Sequence, residues 1–185
     1  ELKRLFKQIP GIQQVAVRME ELPDFQVQAP LMSLPYILGT NLENIPANVP
    51  YLAAPPNWQF SLNSDGKFKV GIAWAGSSEH LKDFQRSSNL SYFLQLLDIP
   101  GVSFYSLQKE MSPENRSLLT QIPVIDLSDN LNDFADTAAL IANLDLVAAG
   151  RVADHEQALR AVAGAIERHA VRAELRRVGC ERGTR

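Results

Sequence analysis

The sequence predicts an α/β domain built on a mostly parallel sheet over roughly residues 69–147, flanked by two segments of different character. Short runs of buried-strand type alternate there with helical patterns. The spacing from each strand to the next leaves room for a crossover helix, which parallel pairing requires. With 45% hydrophobic and 21% charged residues, the chain falls in the globular rather than the disordered class.

Taken in order, a short amphipathic helix (Leu2, Leu5, Phe6) is expected to stop at Pro10-Gly11, with a strand-like Val15-Ala16-Val17 behind it. Residues 29–36 are apolar but broken by Pro30 and Pro35, which predicts a buried loop or short helix. A proline-rich connector from Ile45-Pro46 to Pro55-Pro56 favours extended backbone and reads as a crossing between domains. The first strand is expected from Phe68 to Trp74. A helix over Leu90 to Leu97 should follow, with Leu90, Phe93, Leu94 and Leu97 on one face. Then come a strand over Val102 to Leu107 and a helix over Pro113 to Ile122, its proline suited to a first turn. A short strand at 124–126, a helix within Asp133 to Asn143 and a strand at Leu144 to Val147 complete the series.

Beyond residue 150 the composition breaks. The last 35 residues hold eight of the chain's twelve Arg and no Lys, Pro, Ser, Asn or aromatic residue. Asp154 and Gln157 suit a helix start, and Leu159, Val162, Ile166 and Leu175 recur on one narrow face. One Arg-rich helix over about 155–178 is expected, loosely docked because that face is small. The domains are therefore taken as 1–66, 67–150 and an atypical helical tail, 151–185, of the kind a shifted reading frame would give.

Several function classes are excluded by the same sequence. A net charge of −3 gives no electrostatic reason to expect nucleic acid. The tail's arginines interleave with Glu156, Glu167, Glu174 and Glu181, which favours a salt-bridged solvated helix. Apolar runs are too short for a membrane span. There is no GxGxxG after the first strand, no GxxxxGK[ST], no GxSxG and no metal-ligand spacing of His and Cys, so no metal or cofactor is expected. Cys180 stands alone, which fits a reducing, cytoplasmic compartment.

Ligands of parallel α/β sheets bind where strand ends and helix N-termini meet. The loop after the first strand offers Gly76, Ser77 and His80, followed by Lys82, Asp83, Arg86 and Ser87. Small residues let backbone N–H groups approach a phosphate, and Lys or Arg supplies charge. An ordinary solvated loop with a helix cap is the alternative, and His80 alone reads as a surface histidine. Gln108 and Lys109 follow the next strand, where Lys109 could neutralise a diphosphate or serve as a plain surface lysine. Asp133, Asp136 and Thr137 stand at a helix start, where capping accounts for at least one of them.

Five motifs occur in order: Ala29-Pro-Leu-Met-Ser-Leu-Pro-Tyr36, Lys69-Val-Gly-Ile-Ala-Trp-Ala-Gly76, the spaced His80, Asp83 and Arg86-Ser87, Phe104-Tyr-Ser-Leu-Gln-Lys109, and Asp133-Phe-Ala-Asp-Thr through Leu144-Asp-Leu-Val147. Together they resemble the C-terminal glycosyltransferase region of bacterial tetratricopeptide-repeat proteins. That region is similar to glycosyltransferase family 9 (the heptosyltransferases) and, more distantly, to O-linked N-acetylglucosamine transferase. The resemblance spans roughly residues 1–147. It implies a GT-B-like architecture in which 1–66 is the remnant of an N-terminal Rossmann-like domain with its linker, and 67–150 a partial donor-binding one. It implies a nucleoside-diphosphate sugar donor, a protein or glycan acceptor and no metal. On the donor side it places Gly76, Ser77, His80, Arg86, Gln108, Lys109, Asp136 and Thr137.

The sequence departs from the family after Val147. An Asp-Thr followed by His-Leu-Ala-Gly is expected there to hold the donor diphosphate, and Ala148-Ala-Gly-Arg-Val-Ala153 stands instead. The chain is thus expected to be an inactive fragment of a transferase, with no assignable catalytic residue. The rival expectation is a non-catalytic protein-interaction module of a repeat protein.

Overall fold

A computed structural model describes residues 1–56, 62, 66–77, 80–85, 87–149, 160 and 162–168. Four strands, β1 (Phe68–Ala73), β2 (Val102–Ser106), β3 (Val124–Asp126) and β4 (Leu146–Ala149), form one sheet in the order β3-β2-β1-β4. Every pairing is parallel, as the crossover spacing requires. β1 lies inside the sheet, with Val70 opposite both Phe104 of β2 and Leu146 of β4.

Period-two alternation fixes what each face buries. Val70, Ile72 and Trp74 point to one side and join Phe104, Val124 and Ala148 in a single apolar cluster with Leu90, Phe93, Leu96 and Leu119. On the other side Gly71 stands opposite Tyr105. A Cβ on Gly71 would come within 2.5 Å of Leu144 Cδ1 and 2.9 Å of Leu107 Cδ1, so the missing side chain lets both leucines close over the sheet.

The connections differ from expectation in one informative way. The segment Leu90–Leu96 is a 3-10 helix rather than an α-helix, opened by Asn89, whose side chain accepts from Ser91 N. At three residues per turn its buried set becomes Leu90, Phe93 and Leu96, replacing the Leu94 and Leu97 that a 3.6-residue period selects. α3 (Pro113–Leu119) starts on Ser112, which accepts from Asn115 N, with Pro113 in the first turn. α4 (Phe134–Ile141) opens with a capping box, Asp133 and Asp136 each accepting from the other's end of the turn.

N-terminal to the sheet, α1 (Lys3–Phe6) buries Leu5, while the expected strand at 15–17 is absent from the described residues. The chain turns there instead: Glu20 N donates to Val17 O at 3.0 Å and Val17 N to Glu20 Oε2 at 3.1 Å, with Met19 at φ +74°. Residues 31–37 do form short helices, a 3-10 turn (Leu31–Ser33) followed by α2 (Leu34–Ile37). They are not buried, since Leu31 is 79%, Met32 90% and Tyr36 91% exposed.

Most of the expected Arg-rich helix lies outside the described residues. Within it, 162–168 is helical, and Val162 and Ile166 are buried in the same cluster as β1. At these positions the contact is with the main core rather than loose.

Candidate functional site

The C-terminal ends of β1 and β2 and the start of α4 converge on a pocket of about 410 Å³. Its walls include Gly76 and Ser77 from the loop after β1, Gln108 and Lys109 from the turn after β2, and Asp133 and Thr137 from α4. Parallel pairing produces this convergence, because it brings all the outgoing strand ends to one edge. A larger pocket, about 500 Å³, opens beside α1 among Lys3, Lys7, Gln13, Gln14 and Glu20. Two of its charges are already spent on each other in the Lys3–Glu20 pair.

Gly76 is held from below. Its N–H donates to Ser87 Oγ at 2.8 Å, and Ser87 Oγ donates to Asp83 Oδ1 at 2.5 Å. A Cβ on Gly76 would sit 3.0 Å from that Asp83 oxygen, so even alanine would press on the relay. Lys109 extends along the pocket and donates from Nζ to Asn132 O at 3.0 Å. Lys109 is an exposed residue, and the Asn132 carbonyl it meets is a neutral partner. Thr137 is half-buried, its hydroxyl donating weakly to Asp133 O at 3.4 Å.

The start of α4 is already capped by an acid. Asp133 Oδ1 accepts from Ala135 N at 2.8 Å and Asp136 N at 3.1 Å, and Phe134 N donates to Glu1 O at 3.3 Å. Asp136 is completely buried, its Oδ2 accepting from Asn132 N at 2.8 Å. Arg4 Nη1 bridges Asp133 at 3.0 Å and Asp136 at 3.1 Å. Burial alone would push the Asp136 carboxyl up. The hydrogen bonds from Asn132, the Arg4 charge and the Asp133 N–H outweigh it and hold the group below its usual range.

Of the eight residues the sequence singles out, five line the pocket: Gly76, Ser77, Gln108, Lys109 and Thr137. Gln108 lines it with its side chain turned inward, 6% exposed and fully hydrogen-bonded to backbone. Asp136 is a capping residue, closed off beneath the helix start rather than facing the pocket. His80 is exposed and away from the walls, its Nδ1 accepting from Lys82 N at 3.2 Å. Arg86 lies outside the described residues. Sequence reasoning names Asp83 and Ser87 in this loop but not the relay between them, which their four-residue spacing allows. It also passes over Arg4, whose partner Asp136 lies 132 residues away. Among the described residues no cluster of His, Cys, Asp and Glu could hold a metal ion.

No protein-family model, curated protein or solved structure matches this chain.

Proposed function

We propose that the pocket is the donor side of a nucleotide-sugar site. The chain on this reading is part of a sugar-nucleotide-dependent glycosyltransferase that binds a nucleoside diphosphate without completing transfer. One observation supports it most: Gly76, Ser77, Lys109 and Thr137 line one pocket at the C-terminal edge of a parallel sheet. The resemblance of the five ordered motifs to glycosyltransferase regions points the same way. Lys109 supplies positive charge for phosphate, while Ser77 and Thr137 supply hydroxyls for ribose or phosphate oxygens. In the full reaction an acceptor hydroxyl, on a protein or glycan, would attack the anomeric carbon and the diphosphate would leave.

The electrostatics set the expected affinity low. The acidic residues Glu1, Glu110 and Asp133 also line the pocket, and the start of α4 is closed by its own cap. Binding on the order of millimolar is expected for UDP, GDP or ADP. The measurement is an amide NMR titration with each nucleotide. Shifts at Gly76, Ser77, Lys109 and Thr137 that vanish in Lys109→Glu support the proposal. Titration that leaves the Lys109 turn unmoved removes it.

A second reading, a protein-interaction module, is favoured by residues 19–51. Met19, Val27, Met32, Tyr36 and Leu42 are each more than four-fifths exposed there. The stretch holds Glu20, Glu21, Asp24 and Glu43 with no Lys, Arg or His, so its charge suits a basic surface such as the Arg-rich last 35 residues of a second copy would supply. Self-association that weakens in Met32→Asp/Tyr36→Asp, followed by sedimentation velocity, would show that the strip is adhesive. A chain that stays monomeric with and without the substitutions counts against it.

A further inference from the structure

We infer that Gln108 is the positioning residue of this pocket, a side-chain rung that ties the loop after β1 to the turn after β2 and so sets the pocket's width. Regular pairing between the two strands ends at Ile72 and Ser106, with Leu107 N donating to Ile72 O at 2.9 Å. Beyond that point the chains part to form the pocket walls. The Gln108 carboxamide continues the ladder where the backbone cannot. Its Oε1 accepts from Ala75 N at 3.0 Å while its Nε2 donates to Ala75 O at 2.9 Å, a two-point pairing with the N–H and C=O of one residue. The same Oε1 accepts from Trp74 N at 3.2 Å, and the same Nε2 donates to Glu110 O at 2.8 Å.

A carboxamide has two N–H donors and an oxygen with two lone pairs, and here all four are used. The surrounding groups, two N–H and two C=O, admit only this orientation of the amide. No atom is left over to reach a ligand, so Gln108 acts on the site through Ala75 and Glu110. No other side chain of this length meets the demand. Glutamate would point oxygens at two carbonyls, methionine would satisfy nothing, and asparagine falls one methylene short.

As a device for nucleotide binding this rests on the donor-site proposal; as a brace within the free protein it does not. The test separates the two by using two readouts on the full chain. Hydrogen exchange at the Trp74 and Ala75 amides reports the brace without ligand. UDP titration by NMR reports the pocket. Gln108→Met, close in shape but without hydrogen bonds, is expected to speed exchange at both amides about tenfold or more and to weaken UDP by a similar factor. Gln108→Glu loses both donors at neutral pH and sets a carboxylate oxygen against the Ala75 and Glu110 carbonyls, whose repulsion is expected to open the rung and speed exchange at both amides. Its buried carboxyl, facing two carbonyls, will hold a proton as pH falls and regain one donation, so protection at Ala75 should recover in acid, relative to the parent chain at the same pH. That rescue would not follow from a general loss of packing, and it decides the matter if Gln108→Met fails to fold. Unchanged exchange in Gln108→Met, or a glutamate variant with no acid recovery, overturns the inference. A parent chain that ignores UDP while its variants lose amide protection leaves the brace standing and removes the donor site.

Discussion

Residues 68–75 and 31–38 are both rich in large apolar side chains, yet they end in opposite environments. In β1, Val70, Ile72 and Trp74 recur at every second position and are at most 1% exposed. In the second stretch Leu31, Met32, Tyr36, Ile37 and Leu38 sit in two short helical turns and are 58–91% exposed. The contrast lies in pattern and partners rather than in hydrophobicity. A strand with period two presents one apolar side, and β2 and β4 supply its backbone partners on both flanks. The other stretch follows Pro30 as only seven helical residues, too few to present a long continuous face, and no sheet edge receives it among the described residues. Apolar content alone therefore says little about burial.

That comparison can be broken most sharply by truncation at matched positions. Ile72→Ala should cost about 3–5 kcal/mol in urea unfolding because it opens a cavity in a sealed core, whereas Met32→Ala should change stability by less than about 0.5 kcal/mol. Equal losses would mean that the exposed strip is covered in solution. Ile166→Ala comes next, with an expected loss of about 2–4 kcal/mol, because Ile166 is 4% exposed and shares the β1 cluster. A loss below about 1 kcal/mol would restore the looser docking that the sequence suggests for the Arg-rich segment.

The smallest effects concern the start of α4. Asp133→Ala should cost about 1–2 kcal/mol, since it removes a cap that serves two N–H groups and one end of the Arg4 bridge. Asp136 adds a pH signature. Its folded-state carboxyl is depressed, so its contribution to stability is present above the unfolded value of about 3.9 and is lost as pH falls through the folded value. The parent chain's urea midpoint should therefore drop below about pH 4, and Asp136→Asn should flatten that slope. A variant as acid-sensitive as the parent would show that other carboxylates govern the transition.

Much of the fold was legible because its signals are local. Phe68 to Trp74 reads as a strand from its own composition, Ser112-Pro113 and Asp133 announce helices, and the spacing between strands dictates parallel pairing. The misses came from relations between segments. A 3-10 turn and an α-helix over Leu90–Leu96 bury sets that differ only by Leu94, Leu96 and Leu97, and packing against the sheet decides between them. Val15-Ala16-Val17 has strand composition but no neighbouring strand among the described residues, and Glu20 folds the chain back instead. At the site, position in the chain was enough to gather Gly76, Ser77, Gln108, Lys109 and Thr137. It does not tell which side chains turn inward: Gln108 and Asp136 are both buried and bonded to backbone.

The interior place of β1 also governs the timing of folding. Once made, the first strand can pair with β2 as soon as residues 74–101 have followed it, but its other flank waits for β4, whose approach is sealed by Asp145 reaching back 76 residues to Lys69 N. Closing that loop carries a larger entropic cost and comes late. On the ribosome β1 therefore spends the synthesis of those residues with one edge bare, and Val70 and Ile72 stay prone to mispairing until Leu146 emerges. A chain halted before that residue would carry a nearly complete core whose inner strand has become an edge, and chaperone demand should peak over that interval of translation.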